Sequence, residues 1–226
     1  MVKTVLLDLD DTILDFRRAE AGAIRRTLEG EGVTVTDALL ERYHVINKHH
    51  WELLEEGKIT RDQVKRLRFE QLFGELGLPC DSQRICRAYE ENLSQGHFFI
   101  PGAEALLKAL APRYDLYIAS NGGAWVQNAR LDAAGIRKYF KGQFISEEMG
   151  ANKPSPAFFE ACFAAIPGFE RETAVMVGDS LTSDIRGGQN VGLRTIWFNP
   201  EGKTGTGRAD YEFHALEELP GLLEKL

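Results

Sequence analysis

The spacing of apolar positions changes twice along the chain. Val5, Leu6 and Leu7 form a short continuous apolar run, which predicts a strand over residues 4–9 buried on both faces. From about Asp15 to Gln95 the spacing is helical. In TRDQVKRLRFEQLFGELGL, Val64, Leu67, Leu72, Phe73 and Leu76 fall near one helical face, and Thr60 with Gln63 makes a capping box at its start. ALLERYHVINKHHWELLEEG before it reads as another amphipathic helix, stopped by Gly57. After FFIPG the chain alternates. The helices PGAEALLKALA, GAWVQNARLDAAG, SPAFFEACFAAI and SDIRGGQNVG interleave with the strands DLYIAS, GQFIS, AVMVGDS and RTIWFN. Ser155 is placed as an N-cap with Pro156 at the first helical position. No internal repeat is visible.

Strand–helix alternation with apolar strands predicts an α/β fold, a doubly wound parallel sheet. Its first strand is separated from the rest by an all-helical insert. The expected boundaries are 1–15 and 98–226 for the α/β core and 16–97 for the insert. Ligands of such sheets bind beyond the carboxyl ends of the strands. The insert begins just there, so it is expected to cover the site.

The composition narrows the function. The 226 residues are 43% hydrophobic and 27% charged, enough for one α/β domain with an insert. A net charge of −7 argues against a nucleic-acid polymer as partner, though not against a small phosphorylated substrate. Cys80, Cys86 and Cys162 show no metal spacing, and three cysteines suit a reducing cytoplasm. No apolar run is long enough to span a membrane, and MVKTVLLDLDD lacks the apolar core and cleavage site of a signal peptide. A cytoplasmic protein, monomeric or weakly dimeric, is expected.

The candidate chemistry sits where strands end. Asp8, Asp10 and Asp11 follow the first strand; a calcium loop fails, because Thr12 and Ile13 stand where an acidic or amide residue and a glycine are needed. Ser120-Asn121-Gly122 follows YIA, Lys153 lies in GANKPSP, and Gly178-Asp179 follows VMV. Each is also ordinary turn or surface chemistry. Together they converge on one sheet edge and suit phosphoryl transfer. Asp8 is a candidate nucleophile, since carboxylates form acyl phosphates. Asp8 and Asp179, brought together, would repel unless a hard divalent cation separated them, and Mg²⁺ fits best. Ser120 and the backbone around Asn121 and Gly122 are candidate phosphate donors, and Lys153 supplies positive charge. Asp10 is the candidate acid/base. Asp184 is placed to orient Lys153 or a metal-bound water.

The order DxDxT, Ser-Asn, KPSP and GDSxxxD resembles the haloacid dehalogenase-like superfamily. A helical insert after the first motif is similar to its C1-cap class. By that resemblance Asp8 is the nucleophile, Asp10 the acid/base, and Asp8, the Asp10 carbonyl and Asp179 hold Mg²⁺. Asp10 itself implies phosphoryl rather than halide chemistry. DLDDTILDF, SNG, KPSPAFF, GDSLTSDIRGGQNVG and IWFNP further resemble the YjjG/YfnB-type branch of pyrimidine-nucleotide 5′-phosphatases, from which Ala119 and Ser120 are mild departures.

The expected function is therefore Mg²⁺-dependent hydrolysis of small phosphomonoesters, nucleoside 5′-monophosphates first, through an aspartyl-phosphate. A sugar-phosphate phosphatase or a phosphomutase is the alternative within enzymes, and a phosphoacceptor signalling module the alternative outside them. Phe16, Asn47, Trp51 and Arg68 are the insert's candidate substrate contacts, while His49 and His50 read as surface and core. EGKTGTGRAD fails the Walker and GxGxxG patterns, with Trp197 and Asp210 where glycines are needed, and reads as a mobile surface loop.

Overall fold

The computed structural model describes residues 1–205 and 208–226. The chain divides into two compact units, one formed by Met1–Asp15 with Phe99–Leu226 and the other by Phe16–Phe98.

The first unit is built on six parallel strands: β1 (Thr4–Leu7), β2 (Asp115–Ser120), β3 (Gly142–Ile145), β4 (Ala174–Gly178), β5 (Arg194–Phe198) and β6 (Tyr211–Phe213). Their order is β3-β2-β1-β4-β5-β6. Central β1 pairs on one side with β2, Leu7 opposite Ile118, and on the other with β4, Leu7 opposite Val177. Its continuous apolar run follows from that position, because both faces are covered. Val5 and Leu7 join Ile118, Val175, Val177 and Ile196 in one core. Leu6 joins Tyr117, Ala119 and Met176 in the core on the other face. Each such fully buried side chain contributes about 1.5–3 kcal/mol.

Helices cover both faces, which makes the sheet doubly wound. The helices of the second unit are α1 (Phe16–Gly30), α2 (Asp37–Glu55), α3 (Arg61–Glu75) and α4 (Ser82–Ser94). Those of the first are α5 (Ala103–Leu110), α6 (Ala124–Ala133), α7 (Ser146–Met149), α8 (Pro156–Ala165), α9 (Arg186–Asn190) and α10 (Leu219–Leu223). Leu106, Leu107 and Leu110 of α5 and Leu219 and Leu223 of α10 close the first core. Phe158, Phe159, Cys162 and Phe163 of α8 close the second. Ser155 caps α8 by accepting from the Ala157 N–H, with Pro156 in the first turn.

The second unit is all-helical. α1 packs on α2 and α4, and α3 packs on α2 and α4. Tyr43, Phe69 and Tyr89 meet at its centre with ring centroids 5.5–5.7 Å apart. The Thr60–Gln63 capping box starts α3. Gly57, at φ 70°, follows the last turn of α2.

Three element assignments differ from the pattern. β1 stops at Leu7, and the chain then folds back, with Ile13 and Leu14 N–H both donating to the Leu9 carbonyl. The segment read as one helix over SDIRGGQNVG is a π-helical turn (Leu181–Ile185) followed by short α9. The edge strand β6 was not expected; two of its three residues are exposed, so it carries no alternation.

Candidate active site

Because all six strands are parallel, β1, β2 and β4 deliver their ends to one edge, and the residues after them meet there. Asp8 follows β1, with its N–H on the Val177 carbonyl at 2.9 Å. Ser120 ends β2, and Gly178-Asp179 ends β4. Lys153 reaches the same edge from the loop before α8. That loop is held by Asn121, whose Nδ2 donates to the Lys153 carbonyl and whose Oδ1 accepts the Lys153 N–H, both at 2.8 Å.

The Lys153 side chain is 1% exposed, and its ammonium donates three hydrogen bonds: to Asp8 Oδ1 at 2.6 Å, Asp184 Oδ1 at 2.6 Å and the Ala119 carbonyl at 2.5 Å. An ammonium has three N–H donors, so all are engaged. Asp184, on the π-helical turn, thus orients Lys153, one of its two expected positions. Its second oxygen accepts the Ser180 N–H at 3.1 Å. A Cβ on Gly178 would lie 2.2 Å from that oxygen, so only glycine lets the carboxylate lie against the end of β4. Trp197, on β5, donates Nε1–H to the Asp179 carbonyl at 2.8 Å and fixes the other side of that turn.

Three carboxylates and one ammonium make this edge strongly negative. Oxygens of Asp8, Asp179 and Asp184 lie within 4.8 Å of one another. At that separation each ionised pair repels by about 3.5 kcal/mol at an effective dielectric of 20. Burial pushes the Asp8 carboxyl up, Lys153 pulls it down, and Asp184 and Asp10 push it up again, to about 8. Burial, then Asp8 and Asp184, hold Asp179 well above the usual carboxylate range. Burial lowers the Lys153 pKa, but Asp184 and Asp8 outweigh it and keep the ammonium charged. The excess negative charge and the all-oxygen donor set fit a hard divalent cation. The resemblance implied Asp8, the Asp10 carbonyl and Asp179 as ligands; the side chains gathered here are Asp8, Asp179 and Asp184.

Ser120 is oriented by what it accepts. Its Oγ takes N–H bonds from Gly122 at 3.2 Å and from Gln127 Nε2 at 2.8 Å. A hydroxyl has two lone pairs and one O–H, so the proton is left to donate outward, as a phosphate ligand requires. The loop amides differ from expectation. Gly122 N–H serves Ser120, and Ala124 N–H, at the start of α6, serves Glu147 Oε2 at 2.7 Å. Together with the Asn121 side chain, which braces Lys153, these bonds engage the Gly122 and Ala124 N–H groups within the protein itself. A carboxylate at that helix start is itself favourable, which is why the seat is taken internally.

Asp10 has partners that sequence reasoning missed. Its Oδ1 accepts from Arg130 Nη1, and its Oδ2 from Gln127 Nε2 at 2.6 Å. Both donors lie on α6, at i and i+3. The available signal was a glutamine and an arginine beside Val126 and Leu131, on the face that this helix buries.

The four candidates in the helical unit separate into two pairs. Phe16 opens α1, and half-buried Trp51 has the Arg61 guanidinium 5.4 Å from its ring. Asn47 and Arg68 are 2% and 4% exposed and bonded within the unit. Arg68 Nη1 donates to Asn47 Oδ1 at 2.9 Å, and Asn47 Nδ2 donates to Glu20 Oε1 at 2.7 Å. The Arg68 guanidinium lies 4.8 Å from both the Phe69 and Tyr89 rings. Long polar side chains thus serve as core of this small bundle. Of the loop read over 201–210, residues 206 and 207 lie outside the described residues; Asn199 holds its start through the Lys203 backbone.

Known proteins carry the same architecture. The family model "haloacid dehalogenase-like hydrolase" matches residues 2–192. The HAD-hydrolase YfnB of Bacillus subtilis is 41% identical over 98% of this chain and 95% of its own length. Its magnesium-bound crystal structure superposes with a TM-score of 0.94, covering 98% of both chains. The pyrimidine 5′-nucleotidase PynA of Streptococcus pneumoniae is 39% identical over 99% of this chain and 95% of its own. The pyrimidine 5′-nucleotidase YjjG of Escherichia coli is 31% identical, over 95% and 96%. With a family model spanning most of its length and relatives aligned end to end, this chain belongs to the haloacid dehalogenase-like hydrolases.

Proposed function

We propose that this protein is a Mg²⁺-dependent phosphatase of nucleoside 5′-monophosphates, pyrimidine nucleotides first. The observation that carries the reaction class is Asp8 held by a buried lysine beside two further carboxylates. The nucleotide preference rests on the likeness to PynA and YjjG.

In this reading Asp8 attacks phosphorus, and the bond to the leaving oxygen breaks. Lys153 holds the attacking carboxylate in one orientation through its 2.6 Å contact and neutralises part of the charge. Ser120 donates its outward proton to a phosphoryl oxygen. Asp10 gives a proton to the leaving oxygen, then takes one from the water that hydrolyses the aspartyl-phosphate, regenerating Asp8 and releasing phosphate. Asp8, Asp179 and Asp184, with the Asp10 carbonyl, are the groups that would hold Mg²⁺, which supplies charge neutralisation when bound.

These contacts address only what all phosphomonoesters share. Discrimination between leaving groups is therefore assigned to the helical unit as a C1-type cap, with Phe16 and Trp51 as its candidates. No helix among the described residues is long and apolar enough to cross a membrane. A cytoplasmic enzyme, monomeric or weakly dimeric, is the accompanying reading. A phosphomonoester panel assayed with Mg²⁺ and with EDTA tests the proposal. Pyrimidine nucleotides should head the panel, and EDTA should abolish turnover. Preference for sugar phosphates would overturn the substrate, and one phosphate released per protein would overturn the enzyme.

A further inference from the structure

Three polar side chains, Asp10, Gln127 and Arg130, form a closed hydrogen-bonded ring beside the nucleophile, and Ser120 joins it through Gln127. Gln127 Nε2 donates to both Asp10 Oδ2 (2.6 Å) and Ser120 Oγ (2.8 Å). Gln127 Oε1 accepts from Arg130 Nη1 at 2.8 Å, and the same Nη1 donates to Asp10 Oδ1. Gln127 and Arg130 are 1% and 0% exposed, whereas the Asp10 side chain is 26% exposed. The buried ends thus lie on a rigid helix, and the exposed end is the reactive carboxylate. The fold makes room for the bridge: a Cβ on Gly122 would lie 2.4 Å from Gln127 Cγ.

We propose that Gln127 and Arg130 are positioning residues that lock the orientation of the acid/base Asp10 to that of the phosphate donor Ser120. This inference rests on the phosphatase reading above. The lone amide nitrogen of Gln127 bridges the group that meets the phosphoryl oxygen and the group that meets the leaving oxygen. These two oxygens sit on the same phosphorus, so their partners must keep a fixed separation. Arg130 presents Asp10 in one rotamer, and Gln127 occupies a Ser120 lone pair so that its proton points outward. Misplacing a reacting group by about 1 Å can cost on the order of 100-fold in rate.

The test compares a pyrimidine nucleoside 5′-monophosphate, whose leaving alkoxide needs a proton, with 4-nitrophenyl phosphate, whose leaving group does not. Single-turnover rates of Asp8 phosphorylation are measured for wild type, Gln127→Leu and Arg130→Met. Both variants should slow the nucleotide by roughly 10–100-fold; Arg130→Met should slow the aryl ester by less than about threefold, and Gln127→Leu should slow it severalfold but clearly less than the nucleotide, since it also releases Ser120. Gln127→Leu should also weaken inhibition by inorganic phosphate severalfold while Mg²⁺ affinity stays within about twofold, since Gln127 bonds to the Asp10 side chain and to Ser120 and to none of the clustered carboxylates. In an Asp10→Asn background, Arg130→Met should add less than about a twofold further loss, because it acts through Asp10. Equal losses on both esters, or fully additive losses with Asp10→Asn, would overturn the inference. If Arg130→Met does not fold, the leaving-group contrast and phosphate inhibition of Gln127→Leu decide it alone. Wild-type protein inert toward both esters would instead overturn the phosphatase reading, and the inference with it.

Discussion

Lys153→Met is the perturbation that most directly probes how this site is held together. Methionine keeps the volume of the buried side chain but removes the ammonium that touches both Asp8 and Asp184. Each of those contacts, at 2.6 Å, is worth about 6 kcal/mol of Coulombic attraction at an effective dielectric of 20. The repulsion among carboxylates within 4.8 Å, about 3.5 kcal/mol per ionised pair, is then unopposed. Proton uptake limits the damage, so the net loss should resemble that of breaking a buried pair, about 3–5 kcal/mol. For a chain of 226 residues that is a fall in Tm of roughly 6–20 °C. The pH dependence has a definite sign. Asp8 is raised to about 8 in the folded protein, so the folded state binds a proton that the unfolded chain sheds near pH 4. That stabilising contribution is complete below about pH 4 and is lost as pH rises through about 8. Metal-free protein should therefore lose stability between pH 5 and 8.5, and Lys153→Met should lose more. Mg²⁺ should restore most of the deficit at pH 8.5 and little at pH 5. Thermal melts by circular dichroism at both pH values, with Mg²⁺ and with EDTA, measure this. A Lys153→Met protein as stable as wild type in EDTA at pH 8.5 would refute the electrostatic argument.

Asp8→Asn should bring kcat to the detection limit with folding intact, because phosphate monoesters have almost no uncatalysed background; more than a tenth of wild-type kcat would exclude Asp8 as nucleophile. Excess EDTA should abolish turnover, Mg²⁺ should restore it, and Ca²⁺ should support it poorly because its looser coordination misplaces the reactants; steady-state phosphate release reads all three. Arg68→Ala should destabilise the helical unit by about 3–5 kcal/mol in chemical denaturation, since it empties a buried site and strips Asn47 of a partner. Its effect on nucleotide and aryl phosphate turnover should be parallel, and a selective loss on nucleotides would return Arg68 to the list of substrate contacts. Trp51→Ala should lower kcat/KM for nucleotides roughly tenfold, about 1.4 kcal/mol, and spare 4-nitrophenyl phosphate; no change on either ester would remove Trp51 from the recognition surface.

The sequence alone determined the first five strands of the sheet and the residues at its edge. A parallel strand covered on both faces must be a continuous apolar run, so VLL, YIA and VMV mark the central strands, and whatever follows each run lies at one edge. Asp8, Ser120 and Asp179 are legible for that reason, and Asp184 lies a few residues past the third run. Capping is equally local: Thr60 and Ser155 meet their partners within three residues. What tertiary structure decided is which polar groups find each other across long separations. Gln127 and Arg130 bond to Asp10 from 117 and 120 residues away, and nothing in a helix's own spacing names that partner. The Asn121 side chain pairs with the backbone of Lys153, 32 residues on, a bracing role that its place in a turn does not announce. Asn47 and Arg68, singled out in the sequence as candidate substrate contacts, bond to one another in the interior of the helical unit. β6 exists because β5 offers it an edge, not because YEF carries a strand pattern. Periodicity reports which face a residue lies on; the hydrogen-bond partner of a buried polar group is set by the packing of other elements against that face.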